Sequence, residues 1–346
     1  MILRSMVNVG ILGASGFAGA ELLRLAAGHP DYAVVFGSGD SQAGTPVAEL
    51  YPSLAAAYPH LVLEPWEAVP GGLDIVFLAL PHSSSQTVVP KLDAAHIIDL
   101  GADFRLRDPA LYPGWYGYEH SAPDLIGEFA CGLPELFRQE IRGARSVAVP
   151  GCYVTTAALA LAPLVTSGLV EPTGIIVDAA SGVSGAGRVS RPHTTFAAVG
   201  GNFTAYGLLD HRHTPEMEQA LSRVAGTDVE LLFTPHLAPM SRGILATCYA
   251  RPTGSEDTGE LLAVMQDAYK EEPFIVVSDS VPSTKATLGS NMVNLTVRRD
   301  PRTGWVIVVG ALDNLVKGAA GQAIQCANLA IGLPEESGLS RAGMYP

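Results

Sequence analysis

Short apolar runs alternate with stretches of helical spacing through the first half of the chain, the pattern of βαβ units around a parallel sheet. Val7–Leu12 reads as a buried strand. Residues 17–27 carry helical apolar spacing at Leu22, Leu25 and Ala26, stopping at Gly28 with Pro30 beyond. Residues 34–36, 75–80, 96–100 and 146–149 supply further strands, and residues 103–143, rich in Pro, Gly and Tyr, read as loop. After about residue 151 the pattern changes. Residues 175–179, 229–233, 244–250, 274–277, 292–298 and 305–312 are six candidate strands with few helices among them. Strict alternation through residues 293–298 marks a half-buried antiparallel strand, and Asp300-Pro301-Arg302-Thr303-Gly304 supplies a hairpin turn. A last helix covers residues 318–329. The expected fold class is α/β: an α/β first domain, residues 1–150 plus 315–346, and a mixed α+β second domain, residues 151–314, with the C-terminal helix returning to the first domain.

Composition narrows the picture. The 346 residues are 48% hydrophobic and 16% charged, with 21 Lys+Arg against 34 Asp+Glu and a net charge of −13. That supports packed cores and argues against nucleic acid as a partner, since no basic footprint exists. No apolar run is long enough for a membrane span; the start, Arg4 followed by Val7–Leu12, resembles a secretory signal only until Gly13-Ala14-Ser15-Gly16 breaks it. Four cysteines without CxxC spacing read as reduced thiols of a cytoplasmic protein.

The strongest local motif is Gly10-Ile11-Leu12-Gly13-Ala14-Ser15-Gly16-Phe17-Ala18-Gly19, between a strand and a helix. There, glycine backbone approaches a dinucleotide pyrophosphate at the helix N-terminus. Residues Gly13, Ala14, Ser15, Gly16, Phe17 and Ala18 are the cofactor-binding candidates. Asp40, after the second strand, favours a free ribose and NAD, whereas Ser38 and Ser41 favour a 2′-phosphate and NADP. Cys152 follows Val149-Pro150-Gly151 at the entrance of a helical run beginning near Thr155-Thr156, where a helix dipole favours the thiolate. Cys131, Cys248 and Cys326 read as packed residues. Asp210-His211-Arg212-His213-Thr214-Pro215-Glu216 supplies a proton-transfer partner in the loop entering a helix, with Thr214 as N-cap and Pro215 as first helical residue. No third ligand accompanies the His-x-His pair, so no metal is expected. A second glycine-rich loop runs from Ser181 to Arg188, and Arg105 and Arg242 are candidates for clamping an anionic substrate group. Together these features imply thiol-mediated redox chemistry at an acyl group.

Several motifs, in order over nearly the whole chain, resemble the N-acetyl-γ-glutamyl-phosphate reductases of arginine biosynthesis. They are Gly13-Ala14-Ser15-Gly16-Phe17-Ala18-Gly19, Leu80-Pro81-His82, Gly101-Ala102-Asp103-Phe104-Arg105-Leu106, Pro150-Gly151-Cys152-Tyr153, Ser184-Gly185-Ala186-Gly187-Arg188, His211-Arg212-His213-Thr214-Pro215-Glu216 and Asp313-Asn314-Leu315-Val316-Lys317-Gly318. The resemblance implies a fold like the glyceraldehyde-phosphate and aspartate-semialdehyde dehydrogenases, with a Rossmann-type dinucleotide-binding domain plus an α+β catalytic and oligomerisation domain, and a homo-oligomer, dimer or tetramer. It implies NADP(H) as cofactor and a small acyl-phosphate substrate. It also implies Cys152 as nucleophile, His211 as acid/base with Glu216 in support, and Ser184, Gly185 and Asn314 near the nicotinamide. Three positions depart from the family pattern: Val154 replaces a usual Pro, Ser83 a common Gly, and Asp40 a basic or neutral residue. A related aminoadipyl-phosphate reductase and a non-enzymatic nucleotide-sensing protein are the alternatives.

Overall fold

The computed structural model describes residues 6–345, so Arg4 lies outside the described residues. The chain divides into two compact units, Met1–Pro150 with Ala319–Leu339, and Gly151–Gly318 with Ser340–Pro346. In the first, β1 (Val7–Leu12), β2 (Tyr32–Gly37), β3 (Leu73–Leu78), β4 (Ala94–Asp99), β5 (Phe129–Cys131) and β6 (Ser146–Ala148) form one sheet in the order β2-β1-β3-β4-β6-β5. Every pairing in it is parallel. Val9, Ile11 and Leu12 on β1 and Ile75, Val76, Phe77 and Leu78 on β3 are buried without alternation, because a parallel sheet is covered on both faces. Helix α1 (Phe17–Ala26) follows β1 as its spacing predicts.

Residues 103–143 are more regular than expected: they contain β5 and α2 (Pro134–Ile141). A strand this short shows no periodicity of its own, while Pro134, in the first turn of α2, was the available signal.

The second unit opens with α3 (Cys152–Thr166), which begins at Cys152 itself rather than near Thr155; Gly151 is its N-cap. Its residues from Tyr153 to Val165 are all buried, as befits a helix apolar all round. The sheet of this unit comprises β7 (Ile175–Gly182), β8 (Thr204–Ala205), β9 (Leu231–Ala238), β10 (Ile244–Ala250), β11 (Ile275–Val277), β12 (Val293–Arg299) and β13 (Val306–Leu312). Its order is β11-β12-β13-β10-β7-β9-β8, and it is mixed. As the alternation predicts, β12 pairs antiparallel with β13, through a turn in which Gly304 has φ +78°.

Helix α4 (His213–Ala225) starts two residues before the expected Pro215, with Arg212 rather than Thr214 at the N-cap; Pro215 is tolerated inside the first turn, where no intrahelical N–H is needed. Helix α5 (Thr258–Tyr269) went unpredicted, although Asp257 and Glu260 form a capping box. Past β13 the chain enters a π-helical turn, Val316–Ala320, then α6 (Gly321–Ala330), which packs on α1, α2 and β4. Polar residues on α6 are buried with partners. Asn328 accepts from Tyr32 Oη (2.7 Å) and donates to the Glu335 and Ser337 carbonyls.

Ser83, where the family commonly has glycine, sits at φ +67°, in the left-handed region a side chain resists. Its N–H is held by Asp103 Oδ1 (2.8 Å). Ser83→Gly relieves about 1 kcal/mol of backbone strain, partly offset by the greater freedom of glycine in the unfolded chain. The melting midpoint of Ser83→Gly is expected to rise by about 1–2 °C and that of the β-branched Ser83→Val to fall, both read by calorimetry.

Candidate active site

The candidate site residues fall into two sets, one in each unit. In the first, the turn between β1 and α1 is closed to side chains. Gly13 has φ +81°, and a Cβ there would lie 2.3 Å from the Ala79 carbonyl oxygen; a Cβ on Gly19 would lie 2.3 Å from the Gly13 oxygen. A Cβ on Gly16, by contrast, would make only an ordinary contact, 3.5 Å from the Gly13 oxygen, and Gly16 is the N-cap of α1, with no side chain capping the helix. Ala14 is buried, while Ser15, Phe17 and Ala18 are half-buried. No acidic residue occupies the first turn of α1. This is a backbone cradle whose N–H groups and positive dipole end fit a dinucleotide pyrophosphate.

Ser38, expected with Ser41 to favour a 2′-phosphate, is engaged within the protein. It is fully buried, and its Oγ accepts from the Gly13 N–H at 3.1 Å, so it braces the glycine turn. Asp40 and Ser41 are exposed on a single 3-10 turn, Asp40–Gln42. Arg105 is half-buried and donates through Nη2 to the Leu100 carbonyl (2.8 Å), past the C-terminal end of β4. Beside it Asp99 is completely buried; burial pushes its carboxyl up to about 7, against the stabilising Gly101 N–H and Ser85 hydroxyl bonds.

In the second unit, Cys152 is the first residue of α3, half-buried, where the dipole of a 15-residue helix favours a thiolate. Its surroundings are made by glycines. A Cβ on Gly151 would lie 2.2 Å from His213 Nε2, and one on Gly318 would lie 2.7 Å from Cys152 Cβ. His213 thus packs its ring directly over the turn that presents the thiol. Glu216, also buried, accepts from the Gly151 N–H through Oε2 at 3.0 Å and tethers α4 to the same turn.

His211 stands in the loop before α4. Its ring lies edge-on to Tyr153 (5.7 Å), Tyr206 (5.5 Å) and His213 (4.7 Å), centroid to centroid. The His213 N–H donates to His211 Nδ1 (3.1 Å), which places the proton of the neutral ring on Nε2. Burial, then the neighbouring Arg212 charge, lower the His211 pKa to about 4, outweighing Glu216 and Asp210. Tyr206 donates to Tyr153 Oη (3.2 Å), which donates to the His236 carbonyl (3.0 Å). Both tyrosines feel the Cys152 charge, and burial raises Tyr206 to about 12. Neither tyrosine was singled out as a site residue from the sequence, and a lone Tyr in a glycine-rich stretch offers no signal.

The Ser184 loop and Asn314 do come together, as the resemblance implies. Asn314 Nδ2 donates to Ser184 Oγ (3.0 Å) and its Oδ1 accepts from the Gly243 N–H (2.7 Å), while Gly185 lies beside both Ser181 and Asn314. Arg242 is drawn to the fully buried Asp313 (3.7 Å), whose carboxylate also accepts from the Gly289 and Leu315 N–H groups. Arg242 therefore holds this loop in addition to any ligand contact. Among the described residues no cluster of three His, Cys, Asp or Glu side chains could hold a metal ion.

Comparison with known proteins accords with this division. Residues 8–144 match the family described as semialdehyde dehydrogenase, NAD binding domain, and residues 152–314 match semialdehyde dehydrogenase, dimerisation domain. Aspartate semialdehyde dehydrogenase II of Vibrio cholerae superposes with a TM-score of 0.72 at 16% identity, covering 95% of this chain and 99% of that one. The aspartate semialdehyde dehydrogenase of Candida albicans, solved with NADP, gives 0.68 at 14% identity, covering 94% and 98%. These show the fold. Over 98% of this chain and 99% of theirs, the N-acetyl-gamma-glutamyl-phosphate reductases of Symbiobacterium thermophilum and Acidothermus cellulolyticus are 49% and 48% identical to it. With that identity sustained along the full length, the chain belongs to the N-acetyl-gamma-glutamyl-phosphate reductase family.

Proposed function

We propose that this chain reduces N-acetyl-γ-glutamyl phosphate to N-acetylglutamate 5-semialdehyde and phosphate, with NADPH, through a thioester on Cys152. The observation that carries the reading is a thiol at the head of α3 beside a neutral histidine that keeps its proton on the outer ring nitrogen. The Cys152 thiolate attacks the acyl carbon; the C–S bond forms, the C–O bond to phosphate breaks, and phosphate departs with that electron pair. Arg105 and Arg242 orient the anionic groups of the substrate. Gly13–Ala18 would hold the dinucleotide, with Ser184, Gly185 and Asn314 on the nicotinamide side, and the group would supply, when bound, the hydride that reduces the thioester. His211 donates a hydrogen bond from Nε2–H to the substrate oxygen and so holds its negative charge as that carbon becomes tetrahedral. When the C–S bond then breaks, the electron pair on that oxygen re-forms the carbonyl and sulfur leaves with the C–S pair as the thiolate. Glu216 keeps the turn and the histidine loop in register. The four cysteines, without CxxC spacing, fit a reducing cytoplasm, and the dimerisation-domain match supports a homo-oligomer of two or four copies.

The decisive experiment is phosphate-dependent oxidation of N-acetylglutamate 5-semialdehyde, run in parallel with NADP⁺ and NAD⁺. NADP⁺ is expected to be favoured on the order of 10–100-fold in kcat/KM, because Asp40 is exposed on its short turn and is not held against a ribose. A preference for NAD⁺ would assign Asp40 to the ribose hydroxyls.

Cys152→Ser should lose turnover by several orders of magnitude while NADPH titration, followed by fluorescence, stays close to that of the parent protein. Appreciable turnover by this variant would overturn the thioester route.

His211 is expected to titrate near pH 4 rather than 6.5. Its folded-state pKa lies below its unfolded one, so the unfolded chain takes up the proton first and stability falls as the pH drops from about 6.5 toward 4. NMR of the imidazole resonance missing from His211→Asn reads the midpoint; titration near 6.5 would show a solvated ring.

A further inference from the structure

Between β2 and β3 the chain leaves the sheet for residues 38–72. Its own bonds fix the shape of this excursion. The Val47 N–H donates to the Leu61 carbonyl (2.8 Å) and the Leu63 N–H to the Thr45 carbonyl (2.9 Å), while Val47, Leu54 and Leu63 are buried. Tyr51 follows a single helical turn, Val47–Leu50, with its N–H on the Val47 carbonyl (2.8 Å) and its side chain half-buried. From there its hydroxyl donates to the carbonyls of Ser15 (2.6 Å) and Gly16 (3.3 Å), in the turn that opens α1.

A peptide unit is planar, so a bond that fixes its carbonyl also fixes the N–H on its other side. The Ser15 carbonyl shares its plane with the Gly16 N–H, which donates to the Gly13 oxygen (3.0 Å) and closes the turn. The Gly16 carbonyl shares its plane with the Phe17 N–H, the first of the α1 donors that have no acceptor within the helix. That carbonyl also accepts from the Ala20 N–H (2.9 Å), so two donors polarise the peptide unit to which the Phe17 N–H belongs.

We propose that Tyr51 is a positioning residue for the dinucleotide pyrophosphate: its hydroxyl holds the Ser15 and Gly16 peptide planes so that the Phe17 N–H is set for the diphosphate before it binds. The inference rests on the dinucleotide seat at Gly13–Ala18 described above. A side chain at the N-cap, such as Ser or Asp, would steady the same turn by occupying its free N–H groups, which an incoming phosphate needs. Gly16 supplies no such cap, and Tyr51 acts on the carbonyl side instead, leaving the donors available. Affinity gains because a turn already ordered loses little freedom when its ligand arrives.

The same excursion supplies its own control. Tyr58 donates to the Leu23 carbonyl (2.8 Å), which likewise accepts a second bond, from the Ala27 N–H (3.0 Å). This is equal chemistry on the same helix, far from its N-terminus.

The test compares the full-length protein with Tyr51→Phe, Tyr51→Met and Tyr58→Phe. Nicotinamide fluorescence reads the Kd of NADPH and of NADH, and semialdehyde oxidation gives KM and kcat. A melt without ligand verifies that each variant folds, and Tyr51→Met, which also lacks the hydroxyl, keeps the test available if Tyr51→Phe does not. Tyr51→Phe is expected to weaken both dinucleotides by the same factor, about fivefold, as loss of one hydroxyl–carbonyl bond does. The factor is shared because the two differ only at the ribose 2′ position. The KM for NADP⁺ should rise in step, with the KM for semialdehyde and the kcat at saturating NADP⁺ close to the parent's. Tyr58→Phe should lower the melting midpoint much as Tyr51→Phe does, yet bind both dinucleotides like the parent. Parent-like binding by the Tyr51 variants, or equal weakening by Tyr58→Phe, would overturn the positioning role. A changed ratio of NADPH to NADH affinity would overturn its assignment to the pyrophosphate. A parent protein that bound neither dinucleotide would overturn the seat itself and this inference with it, whereas parent-like binding by the Tyr51 variants leaves the seat standing.

Discussion

The second unit depends on a place where no side chain can stand. A Cβ at Gly151 would meet His213 Nε2 at 2.2 Å, and one at Gly318 would meet Cys152 Cβ at 2.7 Å. These two bare positions let α4 and the π-helical turn close on the head of α3 from different directions. The thiol is thereby fixed at a helix N-terminus with its environment packed around backbone. Glu216 completes the arrangement by bonding the Gly151 N–H, so that the residue preceding the nucleophile is restrained through both its backbone and its missing side chain. A π-helical segment costs hydrogen-bond regularity and is found chiefly where function demands it. Here Val316–Ala320 brings Gly318 against Cys152 and leads directly into α6.

Electrostatics then follow from packing. His211 is surrounded by Tyr153, Tyr206, His213 and Phe233, a setting that penalises the imidazolium. A ring kept neutral, with Nδ1 occupied by a backbone N–H, can only offer Nε2–H, so the hydrogen-bond donor it presents is determined by two local contacts. The thiolate and the histidine do not need to form an ion pair for this. The helix dipole serves the sulfur, while burial serves the ring.

In the first unit the governing constraint is also steric. The backbone at Gly13 and Gly19 comes too close to its neighbours to admit a side chain, Ser38 accepts from the Gly13 N–H, and a Cβ at Gly16 would make only an ordinary contact with the Gly13 oxygen. Asp99 and Asp103 are buried at the next strand end, where they bind the N–H groups of Gly101, Ser83 and Gln86. Those carboxylates shape the loops around Arg105. The left-handed Ser83 is held by one of these bonds and shows that the chain tolerates local strain where a glycine would be easier.

Much of this was legible in the residues. Uninterrupted apolar runs such as Val7–Leu12, the glycine spacing after it, the alternation in β12 and the hairpin at Asp300 each encode a local preference, and local preferences survive folding. Motifs likewise singled out Cys152, His211, Ser184 and Asn314 as candidates. Elements shorter than a full period, β5 above all, and the true start of α3 were not, because too few residues carry the pattern or because Val-Pro-Gly imitates a break. Tertiary structure alone decided the rest. It turned Ser38 inward to Gly13, drew Arg242 to Asp313, set His213 over Gly151, and brought Tyr206 to the histidine ring. Each of these joins residues far apart in the chain or depends on which way a side chain points. Such contacts come from competition among packed surfaces, which no local run of sequence contains.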